Sequence, residues 1–105
     1  MPLKIVLRPQ AEHDLETIYL HLAQDSAERA IEYVRRLRRR CETLAQHPKR
    51  GRQRDDLAPG LRVLAFERSA VIAYRVEIDS VRIIDIFYRG RDYEAILRGG
   101  LTEDD

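Results

Sequence analysis

With 105 residues, 44% hydrophobic and 35% charged, and five Gly and four Pro, the chain has the size and composition of one compact globular domain over residues 1–105. That length excludes a multidomain enzyme, and the single cysteine, Cys41, excludes a disulfide scaffold. The net charge of +1 conceals a split: residues 35–54 carry +8, with Glu42 their one acid, and the remainder carries −7.

In chain order, Leu3-Lys4-Ile5-Val6-Leu7-Arg8 is a β-branched run that Pro9 stops, which makes it the first strand. From Gln10 to about Gln24, Ala11, Leu15, Ile18 and Leu22 recur at the period of an amphipathic helix. Asp25-Ser26-Ala27-Glu28 offers a capping box, with Asp25 accepting from the N–H of residue 28 and Glu28 reaching back. A second helix carries Ala30, Val34, Leu37, Cys41 and Leu44 on one stripe and ends at His47-Pro48, so the two helices form an antiparallel hairpin. Residues 48–60, with two Pro and two Gly, read as an exposed, mobile connection with little regular structure.

Beyond Gly60 the period changes to two. Leu61 to Glu67, Ala70 to Glu77 and Val81 to Tyr88 are strands, joined by tight links at Arg68-Ser69 and near Asp79-Ser80. The expected class is α+β: an N-terminal strand, an antiparallel helical hairpin, then a three-strand antiparallel meander. About four strands form a small sheet with the helices on one face. Tyr93 to Arg98 makes a helical turn or two after Arg89-Gly90-Arg91-Asp92, and residues 99–105 are expected to fray.

Few residues carry the marks of catalysis. Cys41 lies on the apolar stripe and reads as core. His13, His21 and His47 lack the spacing that lets one helix face hold a metal, and the glycines form no phosphate-cradling motif, so no metal, cofactor or catalytic residue is assigned. Glu12, Asp14 and Glu16 read as a solvated helix face. Asp85 interrupts an apolar strand and shares a face with Ile83 and Phe87; if buried it needs an arginine such as Arg62 or Arg75, and otherwise it sits at an edge facing water. The basic stripe of the second helix suits phosphate or an acidic partner, or is a solvated face with Glu32 pairing Arg35 and Arg36. The cluster Tyr88-Arg89-Gly90-Arg91-Asp92-Tyr93 suits RNA stacking or a protein contact. No run approaches the roughly 20 apolar residues of a membrane span, and no apolar signal segment follows Met1, so a soluble cytoplasmic protein is expected.

Several segments together carry a family resemblance: Val6-Leu7-Arg8-Pro9-Gln10-Ala11 with Asp14-Leu15 and Ile18, Leu44 through Pro48 to Gly51, Leu57 with Gly60-Leu61-Arg62, Ile72-Ala73-Tyr74-Arg75-Val76, Ile84-Asp85-Ile86 and Arg89-Gly90-Arg91-Asp92. In this order and spacing the chain resembles the ParE/RelE toxin superfamily of bacterial type II toxin–antitoxin systems, most closely its ParE branch. The resemblance implies a helical hairpin against a small curved antiparallel sheet. RelE-like members are ribosome-dependent mRNA endonucleases, whereas ParE-like members poison DNA gyrase. The RelE-like pattern places an arginine in the middle strand and a Tyr or His near the C-terminus. Here Val71 or Ile72 stands at the first place, and Tyr93 comes early for the second.

The resemblance therefore implies a gyrase-directed toxin, with Arg62, Tyr88, Arg89, Arg91 and Tyr93 as target-binding candidates; the alternatives are a RelE-like endoribonuclease and an inactive antitoxin-binding relative. It also implies a cognate antitoxin, ParD-like or similar, whose tail folds over the toxin. Two helices and four strands make a thin core, so a partly apolar groove between hairpin and sheet is expected to take that tail. Tyr19, Leu22 and Tyr33 are candidates for the groove, and Arg35, Arg36, Arg39 and Arg40 for attracting antitoxin acids. Direct nucleic-acid binding is left open.

Overall fold

The structure, a computed structural model, describes residues 2–99, so the fraying expected of residues 100–105 lies outside the described residues. The elements are β1 (Lys4–Leu7), α1 (Pro9–Ala23), α2 (Ala27–Thr43), β2 (Arg52–Gln53), β3 (Leu61–Phe66), β4 (Ala70–Val76), β5 (Ser80–Tyr88) and α3 (Tyr93–Arg98). They form an α+β fold with one sheet in the order β1-β5-β4-β3-β2. The meander β3-β4-β5 is antiparallel, as the tight links require, while β1 runs parallel to β5, Lys4 opposite Ser80 and Leu7 opposite Ile83.

Pro9 ends β1 and begins α1 in one step, because it has no N–H for a ladder and its fixed φ suits the first helical position. The hairpin turn differs by one residue from the expected cap. Ser26, extended at φ −158°, accepts from the N–H of Arg29 at 3.2 Å, while the N–H of Asp25 is used to close α1 on Leu22. Residue 29 is an arginine, so no acid stands where a reciprocal box needs one. Along α2 the buried stripe is Ala30, Tyr33, Leu37, Cys41 and Leu44, with Tyr33 in the place expected of Val34. Cys41 is core, its thiol pushed up to about 12 by burial.

Both faces of the sheet are covered. Leu15, Ile18 and Leu37 pack on Phe66, Ile72, Tyr74, Ile83 and Ile86; on the opposite face Leu57 and Leu97 pack on Leu61, Val63, Ala73, Ile84 and Phe87. The second core corrects the expectation of a sheet covered on one side, and its lid is α3 with residues 54–60. Arg54 joins those two pieces, bonding Asp56 at 2.8 Å and Glu94 at 2.7 Å, and together with Arg98 it holds the Asp56 carboxyl down to about 2. The two faces coexist because the ladder skips: Ala73 lies opposite Asp85 and Tyr74 opposite Ile83, a β-bulge that sends Ile83 to the helices and Phe87 to the other side. Asp85 therefore does not share a face with both.

The segment expected to be irregular and mobile is stapled to the sheet. The Tyr74 hydroxyl donates to the Pro48 carbonyl at 2.8 Å and accepts from the Gly51 N–H at 2.7 Å, after which Arg52 and Gln53 pair with Val63 and Arg62. A Cβ on Gly51 would stand 2.6 Å from the Tyr74 oxygen and 2.9 Å from the Val63 carbonyl, so only glycine fits.

Among the described residues no strand pairs with β5 past the Arg8 N–H, which donates to the Ile83 carbonyl at 2.9 Å, and two buried charges take that edge. Arg8 Nε donates to the Ile84 carbonyl at 3.2 Å, and the Asp14 carboxylate accepts from the Ile86 N–H at 2.8 Å and from Gln10 at 2.9 Å. Asp14, expected on a solvated face, is thus 5% exposed. Asp85 beside them is buried, and the arginine near its carboxylate is Arg8 at 3.7 Å rather than Arg62 or Arg75. Burial first, and the neighbouring Asp14 second, push the Asp85 carboxyl up to about 6 against the pull of Arg8 and Arg91.

Two predictions follow from these contacts. Tyr74→Phe leaves the Gly51 N–H and the Pro48 carbonyl without their partner and lowers stability in urea by about 1–3 kcal/mol. Because native Asp85 holds its proton more tightly than the unfolded chain does, its ionisation opposes folding as pH rises from about 4 through about 6. Asp85→Asn removes this dependence, so the wild-type protein loses stability relative to the variant across that window, by on the order of 1–3 kcal/mol in denaturation curves at pH 4 and pH 7.5.

Candidate functional site

At the turn end of the helical hairpin a groove of about 340 Å³ runs between α1–α2 and the tips of β3, β4 and β5. Leu22, Tyr33, Ser69 and Tyr88 line its floor, and Arg36, Glu67 and Arg89 its rim. The floor is built from aromatic edges. Tyr33 meets Phe66 at 5.5 Å and Tyr88 at 5.8 Å between ring centroids, and His21 meets Tyr88 at 6.0 Å, all edge-on. Ser69 ties the floor to the hairpin: its hydroxyl lies 2.6 Å from the Tyr33 oxygen and 3.3 Å from the Phe66 carbonyl, and its own carbonyl accepts from the Arg89 N–H at 2.9 Å. Burial raises the Tyr33 phenol above its ordinary value, with the Ser69 hydrogen bond acting against that shift.

Arg36 grips Glu67 with two hydrogen bonds of 2.9 and 3.0 Å and lies 5.6 Å from the Tyr33 ring centroid. The pairing raises the arginine and lowers the carboxylate from their ordinary values, and it replaces the expected pairing with Glu32. Glu67 and Arg68 form the turn before β4 with φ of 48° and 56°, and Arg89 has φ 27°. The left-handed region costs a side-chain-bearing residue about 1–2 kcal/mol, and here that cost is concentrated at one end of the molecule.

The structure gathers Leu22, Tyr33, Arg36, Tyr88 and Arg89 from the expected residues into this groove and leaves the others elsewhere. Arg40 lies over Phe66 at 5.4 Å, one turn from Arg36. Tyr19 lines a separate groove of about 320 Å³ between the helices, with Val34 and the Glu12–Arg38 pair. Arg35 and Arg39 point to solvent from α2. The aromatic and arginine cluster at the end of β5 is divided between the faces: Tyr88 and Arg89 reach the groove, whereas Arg91 and Tyr93 cover Phe87 on the other side, at 5.4 and 6.0 Å. Arg62 is occupied at the far end of β3 by the carbonyls of Lys49 and Gly51. Ser69 and Glu67, the two hairpin residues that organise the groove, were not singled out as site residues, because a turn serine and a turn glutamate carry no distinguishing pattern.

The family model for the ParE toxin of the parDE type II toxin–antitoxin system matches residues 5–93. The chain belongs to the ParE toxin family. Among solved structures, the chromosomal ParDE toxin–antitoxin system from P. aeruginosa shares 26% identity with this toxin at a TM-score of 0.72, covering 82% of this chain and 95% of that one. The RelBE2 toxin–antitoxin complex from Mycobacterium tuberculosis shares the fold at 19% identity and a TM-score of 0.57, covering 85% of this chain and all of that one. No curated protein sequence matches. This toxin has no described helix long and apolar enough to cross a membrane, and among the described residues no group of three or more His, Cys, Asp or Glu could hold a metal ion.

Arg68 is exposed and its left-handed backbone gains nothing from a side chain, so Arg68→Gly relieves strain without touching the groove. We expect stabilisation of about 0.5–1 kcal/mol, the strain relieved less the entropy glycine adds to the unfolded chain, read as a rise in thermal midpoint.

Proposed function

We propose that this toxin is held inactive by a cognate, ParD-like antitoxin and, when free, binds and inhibits DNA gyrase rather than cutting RNA. The observation that carries this reading is the ParE family match over residues 5–93, and the chemistry of the groove supports it. Cleavage of RNA through its own 2′-OH needs an acid–base pair and a cation free to meet the phosphate. In the groove the Tyr33 phenol is hydrogen-bonded to Ser69 and raised by burial, and the Arg36 guanidinium is already neutralised by Glu67. Val71 and Ile72, the two residues at the place where the RelE-like arginine is expected, are both aliphatic, Ile72 fully buried under the helices and Val71 half-buried on the other face. What the groove offers instead is an aromatic floor with a charged rim, the composition of a protein contact.

The ParDE system that shares 26% identity supports an antitoxin partner. Its tail would lie in the groove, covering Leu22 and Tyr33, with Arg36 at the rim and Arg40 one turn along. Tyr88 and Arg89 form the surface for gyrase, while Arg91 and Tyr93 on the other face and Arg62 at the far end of β3 lie apart from it. A gyrase inhibitor works where gyrase works, in the cytoplasm.

The test is to incubate antitoxin-free protein with gyrase and relaxed plasmid and to measure supercoiling and the linear DNA released on denaturing the enzyme. Loss of supercoiling with linear product is expected. Tyr88→Ala, which leaves Tyr33 packed on Phe66, should raise the half-inhibiting concentration at least about tenfold. Undiminished supercoiling by folded protein, with cut mRNA in a translating extract, would contradict the reading.

A further inference from the structure

Nine basic residues of the 35–54 segment are one run in the sequence, but the fold sorts them into two sets. Arg36 is paired with Glu67, Arg38 with Glu12, and Arg54 with Asp56 and Glu94, while Arg40 lies over Phe66. Among the described residues the side chains of Arg35, Arg39, Lys49, Arg50 and Arg52 make no hydrogen bond or ion pair, and all five are exposed. Of these free cations, Arg35, Arg39, Lys49 and Arg50 gather at one place. Arg35, Arg39, Glu42 and Gln46 follow one another at helical spacing along one face, and the turn after α2 brings Arg50 beside them. Two adjoining grooves of about 470 and 530 Å³ share His47 and Arg50; Arg39 and Gln46 line the first, Lys49 the second. Among the described residues Glu42 is the one acid on their walls.

We propose that this surface binds the phosphate backbone of duplex DNA, independently of base sequence. Four cations without an ion pair, against the single acid Glu42 among the described residues of the groove walls, match the chemistry of a polyanion, and Gln46 adds a neutral donor at its edge. A helix C-terminus favours nearby cations, but that effect fades beyond the last turn and does not reach Arg35 or Arg52. An acidic peptide fits the patch less well. Protein contacts are anchored by buried aromatic or aliphatic side chains, and among the described residues the exposed large apolar ones, Val6, Leu20, Ile31, Val76, Ile78 and Ile96, all lie outside residues 35–54. Phosphate contacts need no such anchor, and they position a protein on a duplex without reading it. The surface is separate from the aromatic groove, so it stands whether or not gyrase is the target.

The test uses the full chain and a fluorescent 20-base-pair duplex of arbitrary sequence, with affinity measured by anisotropy between 50 and 200 mM salt. Binding should weaken with a log–log salt slope of about −3 to −5, as expected when four or five phosphates are neutralised. Arg39→Ala and Arg50→Ala should each weaken binding several-fold and reduce the slope by about one. Arg36→Ala and Arg38→Ala remove the same charge from residues that already have partners, and they should leave the slope unchanged. Lys49→Ala replaces Arg39→Ala or Arg50→Ala where the thermal unfolding of either departs from wild type. No binding at 50 mM salt would overturn the proposal, as would equal effects from all four variants, which would reduce it to net charge. Tighter binding of polyglutamate or of single-stranded RNA than of the duplex would overturn DNA as the occupant.

Discussion

The sheet of this toxin depends on an edge that no strand completes. Past Leu7 the outer side of β5 would show its backbone groups to a low-polarity surround, and Arg8 and Asp14 bond to them instead. Burying two charges is expensive unless hydrogen bonds satisfy them, and here Asp14 accepts from Ile86 and Gln10, while Arg8 donates to the Ile84 carbonyl with the Asp85 carboxylate 3.7 Å away. The position of Pro9 follows from the same constraint. It turns the chain from β1 directly into α1, so that Arg8 occupies the N-cap position and spends its side chain on β5 rather than on its own helix.

From that edge the rest of the molecule is arranged in order. The bulge beside Asp85 assigns Ile83 and Ile86 to the helical core and Ile84 and Phe87 to the second core, so β5 carries both. Tyr88 then emerges at the hairpin end as the aromatic floor of the groove, and Arg89 turns away at its rim. A sheet buried on both faces has little room to deform, which suits a surface that must present aromatic edges and a charged rim in fixed relation. The strained turn at Glu67 and Arg68 is held in place by the Arg36 grip and by the Ser69 contacts.

Much of the architecture was legible in the residues. The change of period at Gly60, the spacing of Ala11, Leu15 and Ile18, and the proline stop at Pro9 located helices and strands, because local periodicity follows directly from which face is buried, whereas α2 ends at Thr43, four residues before the stop expected at His47-Pro48. What stayed hidden depends on partners distant in sequence. Asp14 looks like any helix-surface acid until β5 arrives 72 residues later, and Arg8 is assigned to Asp85 only by the fold. The two-residue β2 depends on Tyr74, and a bulge leaves no mark on hydrophobic alternation. The site shows the same division: Tyr88 and Arg89 were legible by residue type, but the sequence run that joins them to Arg91 and Tyr93 concealed that these lie on opposite faces. The basic run likewise concealed which arginines already have partners.

The claim on which the account rests is that Asp14 and Arg8 seal the edge of β5, and native-state hydrogen exchange reads it at one atom. If the Asp14 carboxylate holds the Ile86 N–H as the structure shows, that amide exchanges only through global unfolding, in step with the amides of the β4–β5 ladder. Exchange at Ile86 as fast as at the fully exposed Ile78 would mean that the edge is open, and the charged seal would then not be what completes the sheet.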